Sequence, residues 1–442
     1  MRHKHRKDIG DIFNAGLDAA NPKEAINRAV RQDDGNVLWV RERPYDLNQF
    51  KRILVVGAGK AAAPMAQAME DLLGGRLTGG SITTKYGHGL PLKIVSITEA
   101  GHPVPDRRGL SGTERILKSL KNTQETDLIF CLISGGGSAL MPLPVEGLTL
   151  EDKQKTTQAL LDCGATIHEI NAIRKHISAI KGGKLARAAS PGTVVSLILS
   201  DVIGDDLDTI ASGPTVPDHS TFQDCMNIIA VYELADKIPA PVMAYLRRGE
   251  VGKEEETPKP GDPLFDKAAS VIIGSASLSL DAAAARARDL GYNTVILSSC
   301  IEGETRDVAK VHAAIGKEVL KSGNPLQRPA CVISGGETTV TIHGEGLGGR
   351  NTEFVLAAAI ELEGINGITV LSGGTDGTDG PTDAAGAVAD GETCTRAVKG
   401  GMNAGEYLRN NDSYHFFEAA GGLIKTGPTM TNVMDLRIML IG

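Results

Sequence analysis

Residues 51–69 read KRILVVGAGKAAAPMAQAM. The apolar run ILVV has strand length, Gly57-Ala58-Gly59-Lys60 is a turn, and the Ala-rich stretch through Met65 and Met69 has helical character. A strand, a glycine turn and a helix in this order place free backbone N–H groups at a helix start, where an anion can sit. The stretch therefore sets the class as α/β, of Rossmann-like type. It carries no dinucleotide fingerprint, which wants a third glycine three residues after Gly59 and an acid at the end of the next strand; Ala62 and Lys85 stand there. A Walker A motif fails too, because it needs four residues between its first two glycines. What survives is Lys60 at the mouth of the helix, an ammonium that with the amides around Gly57 and Gly59 can meet one anion; the competing reading is a solvated helix lysine.

At 442 residues the chain exceeds one ordinary core, so two domains are expected. Its 41% hydrophobic and 23% charged residues are those of a globular protein, and 53 glycines suggest many tight turns. A formal net charge of -8 disfavours a nucleic-acid partner, since phosphate backbones are held by clustered Lys and Arg. The six cysteines are scattered, form no C-x-x-C pair, and read as mostly buried thiols of a reducing compartment. No apolar run approaches the roughly 18 residues that cross a bilayer, and MRHKHRK leads into a helix carrying Asp8 and Asp11 rather than an apolar signal core. A cytoplasmic protein without a membrane partner is expected, with a homodimer as one assembly compatible with the sequence. Helices at 8–20 and 23–31 read as packing elements. The charged, proline-rich residues 241–263 read as a linker between an N-terminal Rossmann-like α/β domain at 1–240 and a C-terminal α/β domain at 264–442.

The glycine device recurs. Residues 127–133 (DLIFCLI) make a second buried strand, opening into Ser134-Gly135-Gly136-Gly137-Ser138, where backbone amides can approach an anion; a glycine hinge is the alternative. Between these units lies the loop 99–106 (EAGHPVPD), whose His102 reads as part of a rim. Residues 170–178 (INAIRKHIS), taken as helix, put Asn171, Arg174, Lys175 and Ser178 on one face and isoleucines on the other. Alone, such a polar face is more often solvated, but it leads into the strand TVVSLIL (193–199) and the acid-rich loop SDVIGDDLDTIASGPTVP (200–217). Asp201, Asp205, Asp206 and Asp208 await a metal ion, a Lys or Arg, or water. In the second half, strands and helices alternate, as in a parallel sheet whose ligands bind at strand carboxyl ends. There Ser334-Gly335-Gly336-Glu337 and Ser372-Gly373-Gly374-Thr375-Asp376 repeat the strand-Ser-Gly-Gly device, and a hairpin from 339–343 would deliver Arg350 and Asn351 at a helix start.

Glycine turns, isolated Lys and Arg and two acidic loops are the parts of phosphoryl transfer. The aspartate spacing fits no EF-hand, no Cys/His cluster suggests zinc, and a Ser138 nucleophile would have only His176 nearby as base, in a turn that is not G-x-S-x-G. The motifs GAGKAA, LISGGGSAL, INAIRKHISAIKGG, SDVIGDDLDTIASGPT, GGRNTEF, SGGTDGTDGPTDAAG and TGPTMTNV, in this order from about residue 8 to the C-terminus, resemble the type II glycerate kinases, or glycerate 2-kinases, of the MOFRL family. The resemblance implies two α/β domains, each with a largely parallel sheet flanked by helices and with the active site in the interdomain cleft. It implies phosphorylation of D-glycerate at the 2-hydroxyl by ATP with Mg²⁺. Carried onto this sequence, it points to Lys60, Asp201 and Arg350 as central, with Ser134 to Ser138, Asn171, Arg174 and Lys175 as binding residues. Gly335, Glu337, Asn351 and Asp376 join the binding set by their place on glycine turns, and Asp205 and Asp376 are the candidate Mg²⁺ ligands. Departures are Ile203, Thr352, Met430 and Met434, where the family tends to Pro, Gln, Gly and Asn. The rival function is an NAD(P)H-dependent hydroxypyruvate reductase, against which the broken dinucleotide fingerprint stands.

Overall fold

The computed structural model describes residues 2–33 and 35–442. The chain forms two compact units: Ala25–Ile273, and a second built from both ends of the chain, residues up to Glu24 together with Gly274–Gly442.

The larger unit opens with a small antiparallel meander, β1 (Val30–Gln32), β2 (Val37–Val40) and β3 (Arg43–Asp46). Its main sheet contains β4 (Arg52–Ala58), β5 (Gly79–Lys85), β6 (Ser96–Ala100), β7 (Asp127–Ile133), β8 (Thr193–Leu199) and β9 (Ala268–Gly274), in the order β6-β5-β4-β7-β8-β9. Strands β4 to β8 pair in parallel. Both faces are covered: Val55, Phe130 and Val195 enter one apolar cluster, Leu54, Ile129 and Val194 the other. Double burial is why ILVV, DLIFCLI and TVVSLIL read as unbroken apolar runs instead of alternating.

Two expectations are corrected here. Residues 241–263 are not a free linker. Helix Ala240–Glu250 buries Val242, Tyr245 and Leu246 with Phe222 and Ile173, and Pro241 in its first turn lacks only an N–H that no helix start uses. The strap after it is fastened by side chains: Glu256 Oε1 meets His176 Nε2 at 2.7 Å, and Thr257 Oγ1 donates to Asp218 Oδ2 at 2.9 Å. Strand β9, expected to start the second domain, lies instead at the edge of the first sheet beside β8. The break between units falls at its end, between Ile273 and Gly274.

The smaller unit has β10 (Asn293–Ile296), β11 (Ala330–Gly336), β12 (Ile368–Gly374), β13 (Gly386–Asp390), β14 (Leu423–Ile424) and β15 (Asp435–Ile441), ordered β10-β11-β15-β12-β13-β14. The sheet is mixed, where the alternation of strands and helices implied a largely parallel one. The final strand β15 slots between β11 and β12 and runs antiparallel to both. The N-terminal helix Arg2–Ala20 packs here, its Ile9, Ile12 and Phe13 clustered with Leu280, Ala283 and Leu436. Residues 339–343 form no hairpin; Asn411 Oδ1 accepts from His343 N (2.8 Å) and Gly344 N (3.0 Å) in place of a partner strand. The helix Arg350–Glu361 still begins at the expected residue.

Candidate active site

In the larger unit three neighbouring parallel strands, β4, β7 and β8, end side by side, and the turns beyond them interlock. The Lys60 N–H donates to Gly135 O (2.9 Å), the Ala61 N–H to Ser134 Oγ (3.0 Å), and the Ser134 N–H to Ala58 O (3.2 Å). Gly59, at φ 148°, is where the two turns come closest: a Cβ there would lie 2.0 Å from Ser134 Oγ. A Cβ on Gly135 would lie 2.2 Å from Asp201 Oδ2, so the aspartate of the third turn rests on the α-carbon of the second. Lys60 and Asp201 thus share Gly135. The Lys60 ammonium makes no hydrogen bond or ion pair among the described residues and is partly exposed. Gly57 has a different use: it sits inside β4, packed on Leu132 O, and helps the strands approach rather than cradling a ligand.

His102, read as rim, belongs to this cluster. Its ring lies against Gly136, where a Cβ would come within 2.8 Å, and His88 Nδ1 is 3.2 Å from Lys60 O. Burial first, then the charges of Lys60, Lys85 and His88, hold the His102 pKa down to about 4, so the imidazole is neutral at physiological pH.

Beyond Gly137 the turn continues into a polar chain. Lys181 Nζ donates to Ser138 O (2.6 Å) and Ser138 Oγ (2.8 Å), Ser138 Oγ is 3.1 Å from Ser212 Oγ, and Ser212 Oγ donates to Asn171 Oδ1 (2.9 Å). Asn171 and Arg174 lie one turn apart on helix Ile167–His176, which starts at a Thr166/Glu169 capping box. The helix's polar face is buried, not solvated: Asn171 is 3% and Lys175 2% exposed. Lys175 is the cation that the acidic loop awaits. Its ammonium pairs with Asp208 and, at 3.2 Å, with the fully buried Asp218. That spends it on the loop and removes it from the binding set. Asp206 caps the loop through Asp208 N and Thr209 Oγ1, both at 3.0 Å. Asp205, at φ 56°, is half-buried with no side-chain partner among the described residues.

In the smaller unit one buried carboxylate organises the site. Asp435 accepts from Arg350 Nε (2.7 Å) and Nη2 (3.0 Å), from Asn351 Nδ2 (3.0 Å) and from Arg437 Nη2 (3.2 Å). Arg350 Nη1 also meets Glu337 Oε1 at 2.7 Å. Burial opposes the Arg350 charge, but Asp435 and Glu337 overcome it and drive its pKa further up. Asn351 is buried and spent on Asp435 and Ser372. Asp379 accepts the Asn351 and Thr352 N–H groups, each at 2.8 Å, and so caps the helix start. The Gly335 N–H is spent on Ser298 O (2.8 Å), so it is not an open amide. Asp376 Oδ1 accepts from Thr378 N (3.0 Å) and Oγ1 (3.1 Å), leaving Oδ2.

Residues 8–247 match the domain of unknown function DUF4147, and residues 330–435 match the MOFRL family. The chain is 42% identical over 437 residues to the glycerate 2-kinase of Pyrococcus horikoshii, covering 98% of this chain and 97% of that one. It is 43% identical to a putative hydroxypyruvate reductase of Agrobacterium vitis over 99% of this chain and 94% of that one. The crystal structure of glycerate kinase from Thermotoga maritima superposes with a TM-score of 0.89 at 40% identity, each chain covered completely. This chain belongs to the type II glycerate kinases, the MOFRL family.

For a type II glycerate kinase, several residues of these clusters carry little sequence signal. Lys181 and Ser212 acquire meaning only through partners far away in the chain. Asp435 was the findable one: an acid opening the mostly apolar run DLRIMLI needs a buried counter-charge. Arg437, two residues on, answers it.

Proposed function

We propose that the chain transfers the γ-phosphoryl group of ATP to the 2-hydroxyl of D-glycerate, giving 2-phospho-D-glycerate and ADP. The observation that carries the reading is the placement of Lys60, an ammonium with no protein partner, and Asp201 on the same glycine of two interlocked turns. A cation for the transferring phosphoryl group and a carboxylate for the acceptor proton are what the chemistry needs of a protein. Asp201 accepts the hydrogen bond of the 2-hydroxyl and takes its proton as the new O–P bond forms and the β,γ-bridging P–O bond breaks towards ADP. Lys60 meets the phosphoryl oxygens. Neutral His102 adds no charge and can orient a hydroxyl or phosphate oxygen. Arg350, held charged by Asp435, supplies a fixed cation for phosphate.

Among the described residues no three His, Cys, Asp or Glu side chains converge as a metal site. The donors nonetheless suit Mg²⁺, which takes one or two carboxylates and completes its shell with water and phosphate oxygens. Asp205 has both carboxylate oxygens without a partner among the described residues, and Asp376 has Oδ2. Held by either one, the ion would offset phosphate charge. Localisation in the cytoplasm and a homodimer belong to the same proposal; no helix among the described residues is long and apolar enough to cross a membrane.

The deciding assay follows ADP from D-glycerate plus ATP and Mg²⁺, beside NAD(P)H oxidation with hydroxypyruvate. ADP and 2-phosphoglycerate formation without cofactor oxidation is expected. Oxidation of NAD(P)H with no ADP overturns the proposal in favour of a reductase.

A further inference from the structure

Around the inner side of the Ser134–Ser138 turn the larger unit gathers three cations with no anion. Lys153, on helix Leu150–Asp162, is 6% exposed and reaches only Leu143 O, at 3.4 Å. Lys181 is 2% exposed and spends its contacts on Ser138. Arg174 is mostly buried and makes no hydrogen bond or ion pair among the described residues. None of the three meets a carboxylate within ion-pair distance among those residues, although the same helix pairs its neighbouring Lys175 with two. Unpaired buried charge is costly. Burial and the mutual repulsion of the group relieve part of that cost by discharging the lysines: Lys153 falls to about 7 under burial, Lys184 and Arg174, and Lys181 falls well below its ordinary value under burial, Lys153 and Arg174. A guanidinium has no such escape at physiological pH.

The neighbouring amide is set to match. Lys181 gives an N–H to Ser138 Oγ, so the Ser138 hydroxyl proton is free to point to Ser212 Oγ, and the Ser212 proton goes on to Asn171 Oδ1. This one-way chain turns the Asn171 carbonyl inwards and leaves the Nδ2 donors as its unpartnered end. Asn171 Nδ2 and the Arg174 guanidinium therefore stand one helical turn apart, on one face, as the unspent donors of a buried polar wall.

We propose that Asn171 and Arg174 grip one oxyanion of the substrates, a carboxylate or a phosphate group, with Ser138, Ser212 and Lys181 as positioning residues behind Asn171 and Lys153 as a lysine that takes up a proton when the anion arrives. The proposal deepens the kinase reading and rests on it for the identity of the ligand. The carboxylate source is glycerate; the phosphate source is ATP.

Two measurements test it. The first is steady-state kinetics of Arg174→Gln, its fold checked by circular dichroism, with glycerate and ATP varied separately. A rise of at least about tenfold in one KM, the other moving less than about threefold, is expected of a lost charge-assisted contact. A glycerate effect assigns the carboxylate, an ATP effect the phosphate. Both KM values within threefold of wild type in a folded variant overturn the proposal. Ser212→Ala should raise the same KM with kcat unchanged, as a positioning residue would. The second measurement needs no turnover. Titration calorimetry of the wild type with D-glycerate, and separately with inorganic phosphate, at pH 8 in two buffers of different ionisation enthalpy should show proton uptake that Lys153→Met removes. Binding without proton uptake overturns the role of Lys153. If the wild type makes no ADP yet binds one of these anions with uptake and Arg174→Gln loses that binding, the anion site stands and the kinase assignment falls.

Discussion

The turn after β7 and the strand ends of β11 and β12 are written in the same letters, Ser-Gly-Gly, and do opposite things. After β7 the neighbours on either side, β4 and β8, run parallel, so all three chains leave the sheet at the same edge and their turns stack into a polar cluster holding Lys60, Asp201 and His102. Beyond Ile333 and Leu371 the neighbour is β15, running the other way, and it continues the ladder through the glycines: Gly335 and Gly373 both register with Leu436. Their glycines serve strand packing, and the polar contacts there are made by the side chains of Arg350 and Asp435. A glycine turn is thus left clear of the ladder only when the strands beside it stop where it does.

The comparison can be broken most severely at Asp435. Asp435→Asn leaves Arg350 and Arg437 facing each other without their shared anion, and urea unfolding should show a loss of about 3–5 kcal/mol. Lys60→Ala should do the reverse. It removes no hydrogen bond or ion pair of the side chain among the described residues, so stability stays within about 0.5 kcal/mol, while kcat/KM falls by about 10²–10³, as should that of Asp201→Asn. Near-normal turnover in either folded variant would remove that residue from the mechanism. Gly135→Ala and Gly335→Ala sharpen the contrast at the level of one methyl group. The first drives a Cβ to 2.2 Å from the Asp201 carboxylate; the second meets Leu280 Cδ1 at 3.1 Å. Tenfold or greater activity loss with little change in Tm is expected for the first, and about 1 kcal/mol of stability with activity retained for the second. Equal effects on activity would say that the two glycines serve alike. The smallest effect is in pH. Because His102 titrates at about 4 when folded and near 6.5 when unfolded, the unfolded chain binds the proton first as pH falls. Stability from this group is whole above about 6.5 and is lost progressively down to about 4. His102→Gln should flatten that part of the stability–pH curve; an unchanged slope would show that the imidazole is not held neutral.

The parallel sheet was legible because its central strands are buried on both faces and so are continuously apolar, and because glycine turns mark their ends. Strand direction was not legible in the other sheet. DLRIMLI is apolar from Ile438 on and buried throughout, and nothing in its periodicity says that it runs against its neighbours. Residues 241–263 misled through composition: charge and proline suit a tethered surface strap as well as a linker, and contacts such as Glu256 with His176 and Thr257 with Asp218 distinguish them. That Lys60, Asp201 and the Ser134–Ser138 turn lie together was readable from their place after strands. Lys175 was misassigned because helical spacing tells which residues share a face but not what covers it; Asp208 and Asp218 do. Lys153 and Lys181 looked like ordinary polar residues of helices and turns, and only their burial together gives them meaning.

The N-terminal helix Arg2–Ala20 has a consequence for synthesis. Ile9, Ile12 and Phe13 leave the ribosome more than 400 residues ahead of Leu436, which shares their cluster. At translation rates of about 5–20 residues per second, the helix waits on the order of tens of seconds for that strand, while the whole of Ala25–Ile273 emerges and can fold. While the larger unit is being made, the nascent chain therefore carries an apolar stripe whose partners are still to come, a surface for chaperones to shield.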